Sequence, residues 1–228
     1  MKRAVRMALS LQDEPFFQSM SAPVMGKVEA FIYHRTYEER QIVYFPDDPC
    51  DYVYWVREGR IKVTRVSPDR RELTFRHVLP GDMLGEECLA ARRRRDDYAE
   101  ALESTTLCLM RAEDFQRLVA EEAELARAVA ICLAQRVMDV EEVLAETVFN
   151  TVRGRIAAGL LRLHKRRNAT GKVVLRLTHQ ELANLIGSTR ETTTAVLHGL
   201  REEGIIEIAN RRLTVLDPVA LEHAARTG

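Results

Sequence analysis

LTHQELANLIGSTRETTTAVLHGLREEGII, residues 177–206, is the stretch whose reading decides the fold. Thr178-His179-Gln180-Glu181 has the spacing of a capping box, in which a Thr hydroxyl and a Glu carboxylate satisfy backbone N–H groups left open at a helix start. Leu182, Ala183 and Ile186 follow at helical spacing, and Gly187 supplies a turn. Ser188-Thr189-Arg190-Glu191 repeats the capping pattern ahead of a second helix that runs to about Glu203, with Gly204 as its stop.

That second helix has two faces. Thr193, Val196, Leu197 and Leu200 form an apolar stripe for packing inward. Arg190, Glu191, Thr194, Ala195 and His198 lie on the other side, crowded toward the N-terminal half. A recognition helix enters the major groove with that half, where Arg forks onto guanine and Glu accepts from cytosine. Glu191 is also placed to close a capping box from Ser188, a duty that competes with base reading. Thr178, His179, Gln180, Ser188 and Thr189, at the two helix starts, complete the candidate DNA-binding set on the helices. An ordinary helical hairpin with solvated charges matches the pattern in outline, but the two caps around a Gly turn favour DNA reading.

Beyond Gly204, IIEIA and RRLTVLD read as strands joined through Asn210-Arg211-Arg212. This is a β-hairpin wing whose basic tip, Arg211 and Arg212, reaches phosphate. Upstream, the short strand VVLRL and the polar loop RRNATGK precede the helical pair. FNTVRGRIAAGLLRLHKRR (149–167) is an amphipathic helix with Ile156, Leu160, Leu161 and Leu163 apolar. From Arg111 to about Thr147 a longer helix is expected: Val129, Leu133, Val137, Val140, Leu144 and Val148 recur every three or four residues. Charges such as Arg136, Asp139, Glu141, Glu142 and Glu146 fill its other faces. Such a helix has more apolar face than a small barrel covers, so Val129, Leu133, Val137, Val140 and Leu144 are assigned to packing against a second copy across a two-fold.

Residues 41–82 change texture to short β-rich runs (QIVYF, DYVYWV, IKVTRV, RELTFRHV) broken by PDDPC, REGR, SPDR and LPGD. Turns at this spacing mark an antiparallel sandwich or barrel, and YAEALESTTLCLM adds at least one further strand. Residues 1–40 look mainly helical, with Ser21 capping a helix through Pro23, Val28 and Phe31. The expected organisation is α+β: an antiparallel β-roll over 1–110, a long dimerisation helix over 111–148, and a winged helix-turn-helix over 149–228.

Net charge is zero over 228 residues, yet 151–228 carry 13 Lys/Arg against 7 Asp/Glu, and 1–150 carry 21 against 27. The basic part coincides with the helical pair, as phosphate binding requires. No run approaches the roughly 18 consecutive apolar residues of a membrane span, and the broken apolar run after MKRAV does not make a signal peptide, so a cytoplasmic protein is expected. Cys50, Cys88, Cys108 and Cys132 are scattered without a C-x-x-C pair or Cys/His cluster, which argues against zinc and iron–sulfur sites, and no cofactor is expected. His34, His77 and Cys50 are isolated as haem ligands. A cupin-like metal enzyme needs clustered His and carboxylate ligands and finds only His77 in the barrel segment. No G-x-S-x-G or phosphate-binding loop occurs, so an enzyme is not expected.

In this order the parts resemble the CRP/FNR transcription regulators. The likeness runs from Gln41 onward through Gly59 in REGRIKV, Pro80-Gly81-Asp82 with Gly85-Glu86 in LPGDMLGEECL, Gly154-Arg155-Ile156-Ala157, and LTHQELANLIGSTRETTT. The resemblance implies a sequence-specific regulator that binds a palindromic promoter site as a homodimer, with double-stranded DNA, a second copy and RNA polymerase as partners. The HKRRNATGK loop is the candidate surface for the polymerase. Family members carry an Arg-Glu pair and a second Arg on the recognition helix. Arg190 and Glu191 match the pair, and Ala195 replaces the second Arg, exchanging a guanine contact for a thymine-methyl contact.

In cyclic-nucleotide-binding members a Gly-Glu pair holds the ribose and an Arg-Ser pair the phosphate. Gly85 and Glu86 match the first, and Arg95 matches the phosphate Arg, but Asp96 stands at the Ser in a loop one residue short. The adenine-contacting Thr-Ser pair falls at Val140 and Glu141. An Asp beside a phosphate repels where a hydroxyl donor is wanted. The expectation is DNA binding without cyclic AMP; the alternative is a different anionic effector in the roll, drawn in by the run Arg92–Arg95.

Overall fold

Aromatic and β-branched runs separated by turn residues pair into two antiparallel sheets in a computed structural model of the chain. The structure describes residues 11, 14–90, 94–167, 174–175, 177–209 and 212–227, with 166–167 and 174–175 described by backbone alone. Arg92, Arg93 and Arg211 therefore lie outside the described residues, as do Asn210 and the RNATGK segment from 168 onward.

The first sheet has the order β1 (Tyr33–Tyr37), β8 (Thr105–Arg111), β3 (Tyr52–Glu58), β6 (Met83–Leu84). The second runs β2 (Ile42–Tyr44), β7 (Tyr98–Ala101), β4 (Ile61–Val66), β5 (Glu72–Val78). YAEALESTTLCLM thus supplies two strands, β7 and β8. Central strand β3 buries both of its faces. Val53 and Trp55 point to a core shared with helices, whereas Tyr54 and Val56 point into the roll with Ile61, Val63, Leu84 and Leu107. Trp55 centres the outer core, with Phe16, Phe17 and Phe115 rings 5.5, 5.3 and 5.6 Å away.

The N-terminal stretch differs from its helical expectation. Helix α1 is Ala22–Glu29, with Ser21 at the N-cap position making no side-chain cap bond, and Phe31 lies beyond its end. Residues 33–37 form β1, paired along its length with β8. Only Tyr37 of YHRTY is buried, so neither period is visible in it.

The long helix is also interrupted. Helix α2 (Ala112–Glu121) and helix α3 (Ala123–Phe149) meet at Glu122, whose backbone is extended at φ −113° and ψ 103°. Phe115 and Leu118 face the core, and the next inward position is this carboxylate. Its side chain is largely covered, and a charge so placed needs a partner. Glu122 pairs with Lys27 of α1 at 2.6 Å.

In the C-terminal part, α4 (Val152–Arg167), α5 (His179–Ile186), α6 (Arg190–Glu202) and α7 (Pro218–Thr227) surround a three-stranded sheet, β10 (Ile206–Ala209), β11 (Arg212–Val215), β9 (Val174–Leu175). Helix α7 went unread in the sequence. Asp217 caps it through Oδ1, which accepts from the Val219 and Ala220 N–H groups, and Leu221 and Ala224 pack into the local core. Contacts divide the chain into 1–66 with 75–137, and 67–74 with 138–228.

Candidate nucleic-acid interface and roll pocket

The helical pair is built as its caps dictate. Thr178 accepts from the Glu181 N–H at 3.1 Å, and Glu181 Oε2 accepts from the Thr178 N–H at 2.7 Å. Leu182, Ala183 and Ile186 are buried, and Gly187 ends α5 in the left-handed conformation at φ 64°. The second cap departs from expectation. Thr189, not Ser188, is the N-cap, and its hydroxyl accepts from the Thr192 N–H at 3.2 Å. Glu191 therefore carries no capping duty, and the competition with base reading does not arise.

On α6 the inward stripe is Thr193, Leu197 and Leu200, with Val196 half-buried against the same core. Arg190, Glu191, Ala195 and His198 are exposed, and Thr194 is half-buried. Thr194 Oγ1 lies 2.8 Å from His179 Nδ1, fastening the start of α5 to the outward face of α6. Burial, then the neighbouring His198 and Arg190, lower the His179 pKa from its ordinary value. Gln180 donates to Asn184 Oδ1 at 2.7 Å. Arg212 is exposed at the start of β11. The His179–Thr194 contact joins candidate residues of the two helices, and it had no signal in the sequence.

In the roll the three assigned residues come together, with partners of their own. Gly85 has φ +92°, and a Cβ there would approach the Tyr52 carbonyl oxygen to 2.7 Å and the Arg95 guanidinium to 3.2 Å. Arg95 is buried. It donates to Glu87 Oε2 at 2.9 Å and to the Tyr52 carbonyl at 2.6 Å, and its guanidinium lies 4.5 Å from the Tyr44 ring centroid. Glu86 is buried as well, and pairs with Arg76 at 3.3 Å and with Arg136 of α3. Arg136 is therefore half-buried and paired, although it falls outside the apolar stripe of that helix. It lies three residues past Leu133, on the turn facing the roll, and burial with the nearby Arg76 pulls its pKa down to about 10. Burial raises the phenol pKa values of Tyr44 and Tyr54 above their ordinary range. Asp96 and Asp97 pair with Arg65, at 3.4 and 2.7 Å. Among the described residues no group of three or more His, Cys, Asp or Glu is arranged to hold a metal ion.

The α3 stripe is covered only at its start. Val129 is buried and Leu133 is half-buried, but Val137, Val140, Leu144 and Val148 are 57%, 59%, 61% and 65% exposed.

Comparison with known proteins gives the same two modules. A cyclic nucleotide-binding domain model matches residues 34–122, and a Crp-like helix-turn-helix domain model matches residues 154–224. The chain is 32% identical over 195 residues to the transcriptional regulator LdrP of Thermus thermophilus, covering 84% of this chain and 96% of that protein. It is 28% identical over 215 residues to the cyclic AMP receptor protein of the same species, covering 94% and 98%. A solved CRP/FNR-family transcriptional regulator, also from Thermus thermophilus, superposes with a TM-score of 0.72 at 30% identity, over 85% of this chain and 98% of that one.

Proposed function

The chain belongs to the CRP/FNR family of DNA-binding transcription regulators, and on that premise we propose that it reads a palindromic promoter site as a homodimer, without cyclic AMP. The observation that carries the reading is the first turn of α6, where Arg190 and Glu191 are exposed side by side and Thr189 alone holds the cap. Arg190 forks onto a guanine, Glu191 accepts from a cytosine amino group, and Ala195 lies against a thymine methyl. Thr178, His179, Gln180, Ser188, Thr189, Thr194 and His198 hold phosphate or orient those three. The wing arginines Arg211 and Arg212 add sequence-independent attraction.

The two-fold comes from α3. Four exposed apolar residues at three- and four-residue spacing, Val137 to Val148, make a seam that a second copy of the helix covers. Two α6 helices then meet half-sites about one helical turn apart. RNA polymerase is the partner through which such a regulator acts.

The contacts within the roll support independence from cyclic AMP. Arg95, the phosphate candidate, has both terminal nitrogens engaged by Glu87 and the Tyr52 carbonyl. Glu86, the ribose candidate, is engaged by Arg76 and Arg136. Val140 and Glu141 offer no paired hydroxyls to a base. Selection of bound duplexes from a random pool, with and without cyclic AMP, tests all three parts. The expected product is one inverted repeat, recovered equally under both conditions. Absence of enrichment, or enrichment only with the nucleotide, contradicts the reading.

A further inference from the structure

Three arginines converge on two adjacent carboxylates at the turn after β6. Glu86 and Glu87 open the 3-10 turn Glu86–Ala90, and Arg76 comes from β5, Arg95 from the strand approach before β7, and Arg136 from α3. The group is one electrostatic cluster, since the Tyr44 phenol feels Glu87, Arg95 and Arg76, and Arg136 in turn feels Tyr44 and Arg76. Glu86 keeps only 8% of its surface exposed and Arg95 3%. A carboxylate so deeply placed is costly unless paired, and removal of one partner leaves the other uncompensated.

An anion bound among Arg76, Arg95 and Arg136 would neutralise them and, through Arg136, join the roll to α3. Here the chain's own carboxylates do both. We propose that Glu86 and Glu87 act as a built-in substitute for an anionic effector, and that the Glu86–Arg136 pair makes Arg136 a positioning residue that fixes α3 on the roll in the DNA-binding arrangement. This rests on the reading above that DNA binding needs no cyclic AMP, and deepens it by naming what stands in the ligand's place. Arg136 acts through the helix and touches no DNA. Its counter-ion is part of the chain rather than a ligand drawn from solution. Asp82, the other acid near Arg136, accepts from the Leu79 N–H at 2.9 Å and belongs to the turn before β6.

The test uses the full chain and four proteins: wild type, Arg136→Met, Glu86→Gln, and the exchange Glu86→Arg with Arg136→Glu. Hydrogen exchange is followed over 83–88 and 132–140 without DNA, and affinity is measured on the selected duplex. Each single variant is expected to speed exchange in both segments and to weaken DNA binding on the order of tenfold, with cooperative melting retained. The exchanged pair is expected to recover most of both losses, which a merely space-filling role would not do. Cyclic AMP and inorganic phosphate are expected to change neither readout for wild type. The proposal is overturned if the single variants exchange like wild type, if the exchanged pair is no better than the singles, or if either anion tightens wild-type DNA binding. The exchange readout stands without DNA, so a wild type that selects no duplex refutes the DNA reading and leaves the clamp to be judged by exchange.

Discussion

At Gly85 the backbone sits at φ +92° with a carbonyl 2.7 Å from where a Cβ would project. Any side chain there meets both backbone strain and the Tyr52 oxygen, so Gly85→Ala is expected to cost about 1–3 kcal/mol, read from denaturant unfolding. The cap of α6 makes a sharper comparison. Thr189→Ala should cost about 1 kcal/mol, and Ser188→Ala close to nothing, because only the Thr189 hydroxyl meets a helix N–H. The ring of His34, like that of His179, is held below 6.5 chiefly by burial. The folded protein therefore binds fewer protons than the unfolded chain, and its stability is full above pH 6.5 and falls as pH drops below it. Thermal melts from pH 7.5 to 5 should fall less steeply in His179→Gln. The roll residues show why pairing was illegible in sequence. Gly85, Glu86 and Arg95 were found by motif, but only the fold brings Arg95 onto Glu87 and Arg136 onto Glu86.

At the scale of elements, alternation and caps were readable where one face of an element is buried and the other is wet. Strand β4, the two helices α5 and α6 and the wing carried that signal, whereas β3, buried on both faces, was legible from its apolar run between turns. Strand β1 did not, because YHRTY owes its conformation to five paired positions on β8 rather than to a buried face. The break at Glu122 was hidden for a related reason. The apolar spacing runs on past it, and the carboxylate at an inward position is significant only once Lys27 is known to be beside it. Helix α3 supports a prediction of its own. Val140 is 59% exposed within one chain and lies on the proposed seam, so Val140→Asp places an uncompensated charge in a desolvated contact. Light scattering should report a monomer; a persistent dimer would mean that the stripe has another partner.

For the whole molecule, the zero net charge conceals an acidic part and a basic part, and only the basic part carries the helical pair. Arg212→Ala should weaken binding to every duplex alike and lower the slope of log affinity against log salt by about 1. Base reading behaves differently, because losing a forked contact is felt only where the right base is present. The most direct measurement titrates the full chain, wild type and Arg190→Ala/Glu191→Ala, into the selected duplex and into one with both half-sites scrambled. Wild type should discriminate strongly. Each lost contact is worth about 1–3 kcal/mol on the selected duplex and little on the scrambled one, so the double variant should bind both nearly alike. Undiminished discrimination by the double variant would contradict the assignment of α6 as the element that reads DNA.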